Sequence, residues 1–261
     1  MSQALWVGKT GLEAQNTRLS IISNNLANAS TSGFKRDRAL FEDLLYQHVR
    51  FAGGRTSQDT ELPSGLSLGT GVKLVATQKL HTQGNVLQTQ NTYDMAIQGN
   101  GYFQVLHPNG SMSYSRNGEF HINGAGEIVT SSGYKLVPDI ALPADAMSVS
   151  IGNDGTVSIT QPGSPNLVNI GQITLAMFQN PSGLQPVGQN LFLETAASGE
   201  PQVGVAGTNG LGTIQQGSLE GSNVNVVEEL VNMIETQRAY EMNSKAIATM
   251  DQMLQYLSNN T

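Results

Sequence analysis

The residues that most often carry out catalysis are few and scattered in this chain. Histidine occurs only at His48, His81, His107 and His121. None of them stands in a His-x-x-x-His spacing or in a pattern paired with glutamate, the arrangements that place metal ligands on one helix face. We therefore interpret the four histidines as surface or turn residues and expect no metal site.

Other residues that could do chemistry also fail to form a motif. The acidic pairs at positions 42–43 and 228–229 are adjacent in sequence, whereas a glycosidase needs two carboxyl groups facing each other across its substrate. The glycine-rich stretches 69–71 and 99–101 lack the further glycine and the Lys-Ser/Thr pair of a phosphate-binding loop. Cysteine is absent, which excludes thiolate nucleophiles and disulfides. We expect no catalytic residue and no cofactor, and hence a protein that is not an enzyme.

The composition narrows the possible partners. The net charge is −7, and only 13% of the 261 residues are charged, so binding to nucleic acid is not expected. The basic run at 35–38 is interrupted by Asp37. No stretch of about 18 apolar residues predicts membrane insertion. The first residues lack a basic region followed by an apolar core, so we expect export without a cleaved signal peptide.

The elements that must position any functional surface lie at the two ends of the chain. Near the N-terminus, leucine recurs every seven residues, and near the C-terminus apolar residues follow a three-and-four spacing. This pattern predicts helices that pack against neighbouring helices. Such spacing is also typical of ordinary core packing, so both interpretations stay open. Several apolar faces on each helix favour assembly between subunits.

The middle of the chain is predicted to be β-structure. Glycine-containing turns and short apolar runs between residues 72 and 193 predict an antiparallel sandwich or barrel. Residues 39–46 form either a helical turn or a short strand, and residues 51–68 a contact arm or extended hairpin. Residues 196–212 are predicted to be an extended link. The fold class is mixed α+β, with terminal helices forming a coiled-coil-like inner domain, a central antiparallel β domain and an extended connecting segment.

Two long motifs at opposite ends resemble a known family. Residues 23–28 (SNNLAN) with 31–36 (TSGFKR), and residues 222–231 (SNVNVVEELV) with 237–241 (QRAYE), are similar to the terminal signatures of the bacterial flagellar rod and hook axial proteins. The resemblance to the distal rod branch of this family rests on three further segments, namely 41–46 (FEDLLY), 62–65 (LPSG) and 69–72 (GTGV).

The resemblance implies a three-part structural subunit without enzymatic activity. Residues 1–34 with 222–261 would form the inner helical assembly domain, residues 35–75 with 208–221 a connecting region, and residues 76–207 the outer β domain. Subunits would polymerise helically into a rigid hollow drive shaft that transmits torque from motor to hook. This homopolymer would lie in the flagellar basal body, spanning the periplasm and outer-membrane region. Its expected partners are further copies of itself, proximal rod proteins, hook proteins, the surrounding ring (bushing) proteins and the flagellar type III export apparatus.

Two sets of residues are expected to carry this function. The apolar helix residues predicted at the subunit interface are Leu5, Leu12, Leu19, Ile22, Leu26, Val227, Leu230, Ile234, Tyr240, Ile247, Met250, Leu254 and Leu257. The residues expected to stiffen the rod, in segment 47–65, are Gln47, Arg50, Arg55, Leu62, Pro63 and Gly65. The alternatives are another axial protein of the same family, of proximal rod or hook type, and, more remotely, a peptidoglycan-acting enzyme.

Overall fold

The computed structural model describes residues 3–53, 63–162 and 164–259. Within these residues the chain divides into two compact units. Unit 1 contains Met1–Ala27, Asp37–Gln78 and Asn225–Thr261, and unit 2 contains Asn28–Arg36 and Lys79–Val224. Arginine 55 and leucine 62 of the predicted stiffening segment fall outside the described residues.

In the residues that the structure describes, unit 1 contains the two terminal helices and four strands, the last of which ends one residue inside unit 2. Both helices are present, as predicted, and residues 39–46 contribute to a strand rather than a helical turn. Strand β1 (Asp37–Asp43) pairs with β4 (Val72–Lys79), and β2 (Gln47–Arg50) pairs with β3 (Leu66–Leu68) as an antiparallel hairpin. The elements are α1 (Gln3–Ala27), β1 (Asp37–Asp43), β2 (Gln47–Arg50), β3 (Leu66–Leu68), β4 (Val72–Lys79) and α2 (Val226–Asn259).

The ends of the helices follow from local chemistry. Gly33, six residues beyond the end of α1, has φ +70°, a left-handed conformation that glycine adopts without strain. Before α2, the Asn225 Oδ1 atom accepts hydrogen bonds from the backbone N–H groups of Val227 at 3.1 Å and Glu228 at 3.4 Å. These bonds give a hydrogen-bond acceptor to two backbone N–H groups of the first turn, which have no acceptor inside the helix. Asn225 is therefore the N-cap of α2.

Unit 2 consists of short antiparallel strands, as predicted, but its largest sheet is open and does not close into a barrel. A single 3-10 turn, Pro181–Gly183, is the helical element among the described residues of this unit. The strands are β5 (Val86–Gln88), β6 (Met95–Gln98), β7 (Tyr102–Leu106), β8 (Met112–Ser115), β9 (Phe120–Ile122), β10 (Ile128–Thr130), β11 (Lys135–Val137), β12 (Ser148–Ile151), β13 (Thr156–Gln161), β14 (Ser164–Gln172), β15 (Thr174–Met177), β16 (Gln185–Gly188), β17 (Leu191–Leu193), β18 (Gln202–Val205), β19 (Thr213–Gln216) and β20 (Ser218–Glu220).

The nine-stranded sheet runs β16-β17-β8-β7-β11-β10-β9, and β15 joins it by pairing with both β7 and β18. Strands β12, β13 and β14 form a second sheet, while β19 pairs with β6 and β20 with β5. The expected extended link at 196–212 is wrong, because it contains β18, which pairs with β15 in register Leu175↔Gly204. Leu211, in the same stretch, is 7% exposed and belongs to the core.

The core of unit 2 is apolar and densely packed. Phe103 and Phe120 meet edge to face with ring centroids 5.2 Å apart, a favoured aromatic geometry. A second, smaller cluster gathers Tyr102, Tyr114 and Phe178. Burial of these side chains explains why unit 2 can hold its fold through its own interior.

Candidate assembly surface

The two terminal helices pack against each other in antiparallel order within one chain. A Cβ atom added at Gly8 would lie 2.9 Å from Ile247 Cγ1, and one at Gly11 would lie 3.2 Å from Asn243 Nδ2. Glycine lowers helix propensity by about 1 kcal/mol relative to alanine. At these two positions its missing side chain allows α1 and α2 to approach closely.

The leucine repeat of α1 is only partly used by this packing. Ile22 is buried, with 4% of its side-chain surface exposed. The repeat leucines are half-buried: Leu5, Leu12, Leu19 and Leu26. The helix pair therefore covers part of the predicted interface within the chain and leaves part of it accessible.

Helix α2 exposes a large amount of apolar surface. The exposed predicted residues are Val227, Leu230, Ile234, Tyr240 and Leu254, of which Val227 is 70% exposed. Ile247 and Met250 are half-buried, and the side chain of Leu257 lies outside the described part. In the described part of α2, further large apolar residues are exposed that were not predicted at the interface, namely Val226, Val231, Met242, Met253 and Tyr256. Large exposed apolar patches are typical of surfaces that bind another molecule.

A buried polar side chain joins α1 to the rest of unit 1. The side-chain amide of Asn25, which is 1% exposed, donates to the Asp37 backbone carbonyl at 2.9 Å and accepts from the Asp37 N–H at 2.9 Å. It also donates to Glu229 Oε2 at 3.4 Å. Asn25 thus binds the start of β1 as a neighbouring strand would, and contacts the first turn of α2. It lies in the motif 23–28, whose sequence alone indicated no such role.

The hairpin of β2 and β3 carries the described part of the predicted stiffening segment. Gln47 pairs with Leu68 and Arg50 with Leu66. Gly65 is required here, because a Cβ atom would lie 2.8 Å from the Arg50 backbone oxygen. Pro63 precedes it and is exposed. The hairpin presents apolar side chains to solvent, namely Val49, Phe51, Leu66 and Leu68.

The residues considered for chemistry all lie in the described part of the chain. Among the described residues, no group of three or more His, Cys, Asp or Glu side chains could hold a metal ion. A groove of about 480 Å³ near Tyr93 and Met147 has Tyr93 as its one ionisable lining residue. In the described parts of the chain no helix is both long and apolar enough to cross a membrane.

The basic run at residues 35–38 does not form a surface patch, because its first residue, Lys35, is buried. Lys35 is fully buried and forms an ion pair with Glu220 at 2.6 Å. Burial lowers the pKa of Lys35, and the neighbouring Glu220 carboxylate opposes that effect. Arg116 also contacts Glu220, at 3.3 Å. This buried cluster could not be found from local sequence pattern, because its members are far apart along the chain.

Comparisons with known proteins match the sequence over nearly its whole length. Three family models match: the flagella basal body rod protein at residues 5–35, the flagellar hook protein FlgE/F/G D1 domain at 96–159, and the flagellar basal body rod FlgEFG protein C-terminal region at 215–260. The flagellar basal-body rod protein FlgG of Buchnera aphidicola subsp. Schizaphis graminum is 54% identical, over 99% of each chain.

Two further relatives have the same name. The flagellar basal-body rod protein FlgG of Buchnera aphidicola subsp. Acyrthosiphon pisum is 53% identical, over 99% of each chain. That of Borreliella burgdorferi is 44% identical, over 99% of this chain and 98% of its own. The helix pair and the β unit described above thus occur in a chain that belongs to the flagellar basal-body rod protein family.

Proposed function

We propose that the chain is a subunit of the distal rod, polymerising helically into a rigid hollow shaft that transmits torque from motor to hook. Its family is a structural one of the flagellar basal body. The observation that carries the proposal is the exposed apolar surface of α2, where Val227, Ile234 and Tyr256 are 70%, 51% and 71% exposed. A stack of identical subunits would cover this surface with the helices of neighbouring copies.

We assign three roles along the chain. Residues 1–34 with 222–261 form the inner assembly layer, residues 35–75 with 208–221 connect the layers, and residues 76–207 form the outer β domain. The proposed subunit interface comprises the helix residues predicted from the sequence except Ile22, which is buried within the chain, and adds the exposed Met242, Met253 and Tyr256. Neighbouring partners are proximal rod proteins, hook proteins and the surrounding ring proteins, with delivery through the flagellar export apparatus.

The hairpin of β2 and β3 is the proposed stiffening element. Its apolar side chains Val49, Phe51 and Leu66 are 56%, 70% and 49% exposed. Because roughly half or more of each side chain is still exposed, burying the rest against a neighbouring subunit would contribute about 1 to 2 kcal/mol per residue. Contacts made in this way between adjacent rows of subunits would oppose bending of the tube.

Deletion of residues 47–65 tests this role. We expect rods that still assemble through the helices but are bent or flexible, as measured by persistence length in electron micrographs of purified basal bodies. As a control, a linker of equal length rich in glycine and serine restores chain length without the apolar contacts, and should leave the rod flexible. Straight rods from the deletion would contradict the proposed role of the hairpin.

The protein is proposed to have no catalytic activity of its own. Incubation with purified peptidoglycan should release no soluble fragments above the level of buffer alone. Release of fragments that scales with protein concentration would instead support the peptidoglycan-acting alternative.

A further inference from the structure

The chain crosses between its two units at four peptide bonds, after residues 27, 36, 78 and 224. On the side of unit 2 these crossings fall in three segments: residues 28–36, residues 79–84 and residues 220–224. Any force passed from one unit to the other along the covalent chain must enter unit 2 through these segments. All three converge on one polar cluster inside unit 2.

The first and last of these segments are bonded to each other directly. The Gly33 N–H donates to the Glu220 backbone oxygen at 2.8 Å, and Lys35 Nζ lies 2.6 Å from Glu220 Oε1. The Arg36 N–H donates to Asn223 Oδ1 at 2.7 Å. These bonds join residues separated by up to 187 positions in sequence.

The middle segment is held in the same place. The Leu80 N–H donates to the Arg36 carbonyl at 2.8 Å, and the side-chain amide of Asn223 donates to the Leu80 carbonyl at 2.7 Å. Lys35 Nζ donates to the Thr82 carbonyl at 2.8 Å. Lys35, which lies in residues 28–36, therefore binds both of the other segments. Asn223, which lies in residues 220–224, likewise binds both of the other segments.

The cluster is also anchored to the body of the sheet. Glu220 Oε1 accepts from the Gly84 N–H at 2.9 Å, and Glu220 Oε2 lies 3.3 Å from Arg116 Nη1. Arg116 Nη2 in turn donates to the Gly99 carbonyl at 2.6 Å. The side chains of Lys35 and Glu220 are 0% exposed and that of Arg116 is 4% exposed. Solvent therefore does not weaken these bonds by competing for them.

A gain in folding stability is a weak explanation for this buried polar cluster. A buried ion pair can often be replaced by apolar residues of similar size with little loss of stability, because removing two charges from water is costly. Directional bonds from one side chain to several backbone segments have another effect. They prevent any one segment from separating from the sheet unless bonds to the others break as well.

We propose that Lys35, Glu220 and Asn223, with Arg116 behind them, form a mechanical clamp. Tension arriving through one connecting segment is shared among all three and is passed to the sheet through Glu220 and Arg116. Resistance to load is then higher at the connections than in the rest of unit 2. The benefit to a rotating shaft rests on the proposed function, but the mechanical response of the isolated chain does not.

The test is single-molecule pulling of the full chain in two directions. Because the chain has no cysteine, attachment points are introduced one pair at a time. Cysteines added at the two chain ends load the clamp, since residues 28–36 and 220–224 are the first parts of unit 2 to receive the force. Cysteines in place of Ser131 and Glu200, both exposed in unit 2, load the sheet instead.

The Lys35→Met variant should raise the unfolding rate of unit 2 at fixed force about tenfold or more when the chain is pulled from its ends. A tenfold change corresponds to about 1.4 kcal/mol in barrier height. With the internal attachment points the same variant should change the rate by less than about threefold. Ser113→Ala is the matched control, because it removes a buried hydrogen bond to the Val105 carbonyl within the sheet and should act alike in both directions.

Equal acceleration in both directions, or none when the ends are pulled, would overturn the clamp. If Lys35→Met does not fold, Asn223→Ala tests the clamp in its place. This variant removes the hydrogen bonds to Arg36, Leu80 and Thr82 and leaves the buried ion pair intact. The same directional difference is expected for it. These measurements use isolated molecules, so failure of the clamp and failure of the rod assignment are separately visible.

Discussion

A single buried polar residue, Asn25, fixes the path of the chain after the end of α1. The Asn25 side chain makes two hydrogen bonds to the Asp37 backbone and one to Glu229, which is 3% exposed. A buried amide with several partners is favourable only while all of those partners are present. One residue thereby couples the end of the first helix, the start of β1 and the start of the last helix.

Asn25→Ala should lower the free energy of unfolding of unit 1 by about 2 kcal/mol, since two backbone groups lose a partner in a buried place. Urea unfolding followed by helical circular dichroism measures the change. Ser23→Ala, at an exposed position on the same helix, should alter stability by less than about 0.5 kcal/mol. Equal losses for the two variants would remove the special role of Asn25.

A second residue-scale consequence concerns pH. Burial, with the nearby charges of Lys35, Arg116 and Lys79, lowers the pKa of His81 from 6.5 to about 4. Its Nδ1 atom lies 2.8 Å from the Tyr102 hydroxyl. The unfolded chain binds a proton at His81 below about pH 6.5, while the folded chain does so only near pH 4, so stability is lost as pH falls through this window.

The loss at pH 4 relative to pH 7 should reach up to about 3 kcal/mol from this one group. Equilibrium unfolding across pH 4 to 7 checks it in the parent chain and in His81→Gln, which cannot take up the proton. The stability difference between the two chains should shrink as pH falls. A difference that is constant with pH would mean that His81 titrates alike in both states.

At the scale of elements, both terminal helices could be predicted from sequence. Seven-residue spacing predicted α1 and three-and-four apolar spacing predicted α2, because these signals depend on nearby residues alone. β18 was missed, since its Gly- and Val-containing run Gln202–Val205 acquires strand structure from pairing with β15. The burial of Lys35 was also missed, because it depends on Glu220, 185 residues away.

The apolar spacing along the helices does not by itself show whether a residue contacts its own chain or a neighbouring subunit. Ile22 and Leu19 belong to the same predicted seam, yet Ile22 is buried and Leu19 is half-buried. The distinction depends on which face α2 covers, and that is a property of the folded chain. The predicted interface residues are therefore best tested by substitution.

Leu254→Asp should reduce the assembled fraction about tenfold or more, because a carboxylate placed in an apolar contact loses its hydration. Leu19→Asp should act in the same direction. Sedimentation of polymer measures assembly, and dispersed NMR signals from unit 2 should persist in both variants. Gln252→Asp adds the same charge at an exposed polar position of α2 and should assemble normally. Loss of the unit 2 signals would place these leucines in a single folded core instead.

At the scale of the whole molecule, the distribution of apolar surface separates the two units. Unit 2 buries Phe103, Phe120 and Ile214 completely, and so has an interior of its own. Unit 1 keeps large side chains such as Leu45, Phe51 and Tyr256 exposed at 90%, 70% and 71%. The proposed helical polymer would explain this contrast, because the surface left open in one copy would become interior between copies.

Photo-cross-linking from α2 tests this central claim most directly. A photoreactive amino acid at Ile234, which is 51% exposed, should give a ladder of chain multimers in assembled rods and none in dilute monomer. The same group at Thr236, which is 1% exposed on the same helix, should react only within its own chain. Assembled rods that yield no multimers from Ile234 would contradict the account, because the exposed face of α2 would then not be the contact between subunits.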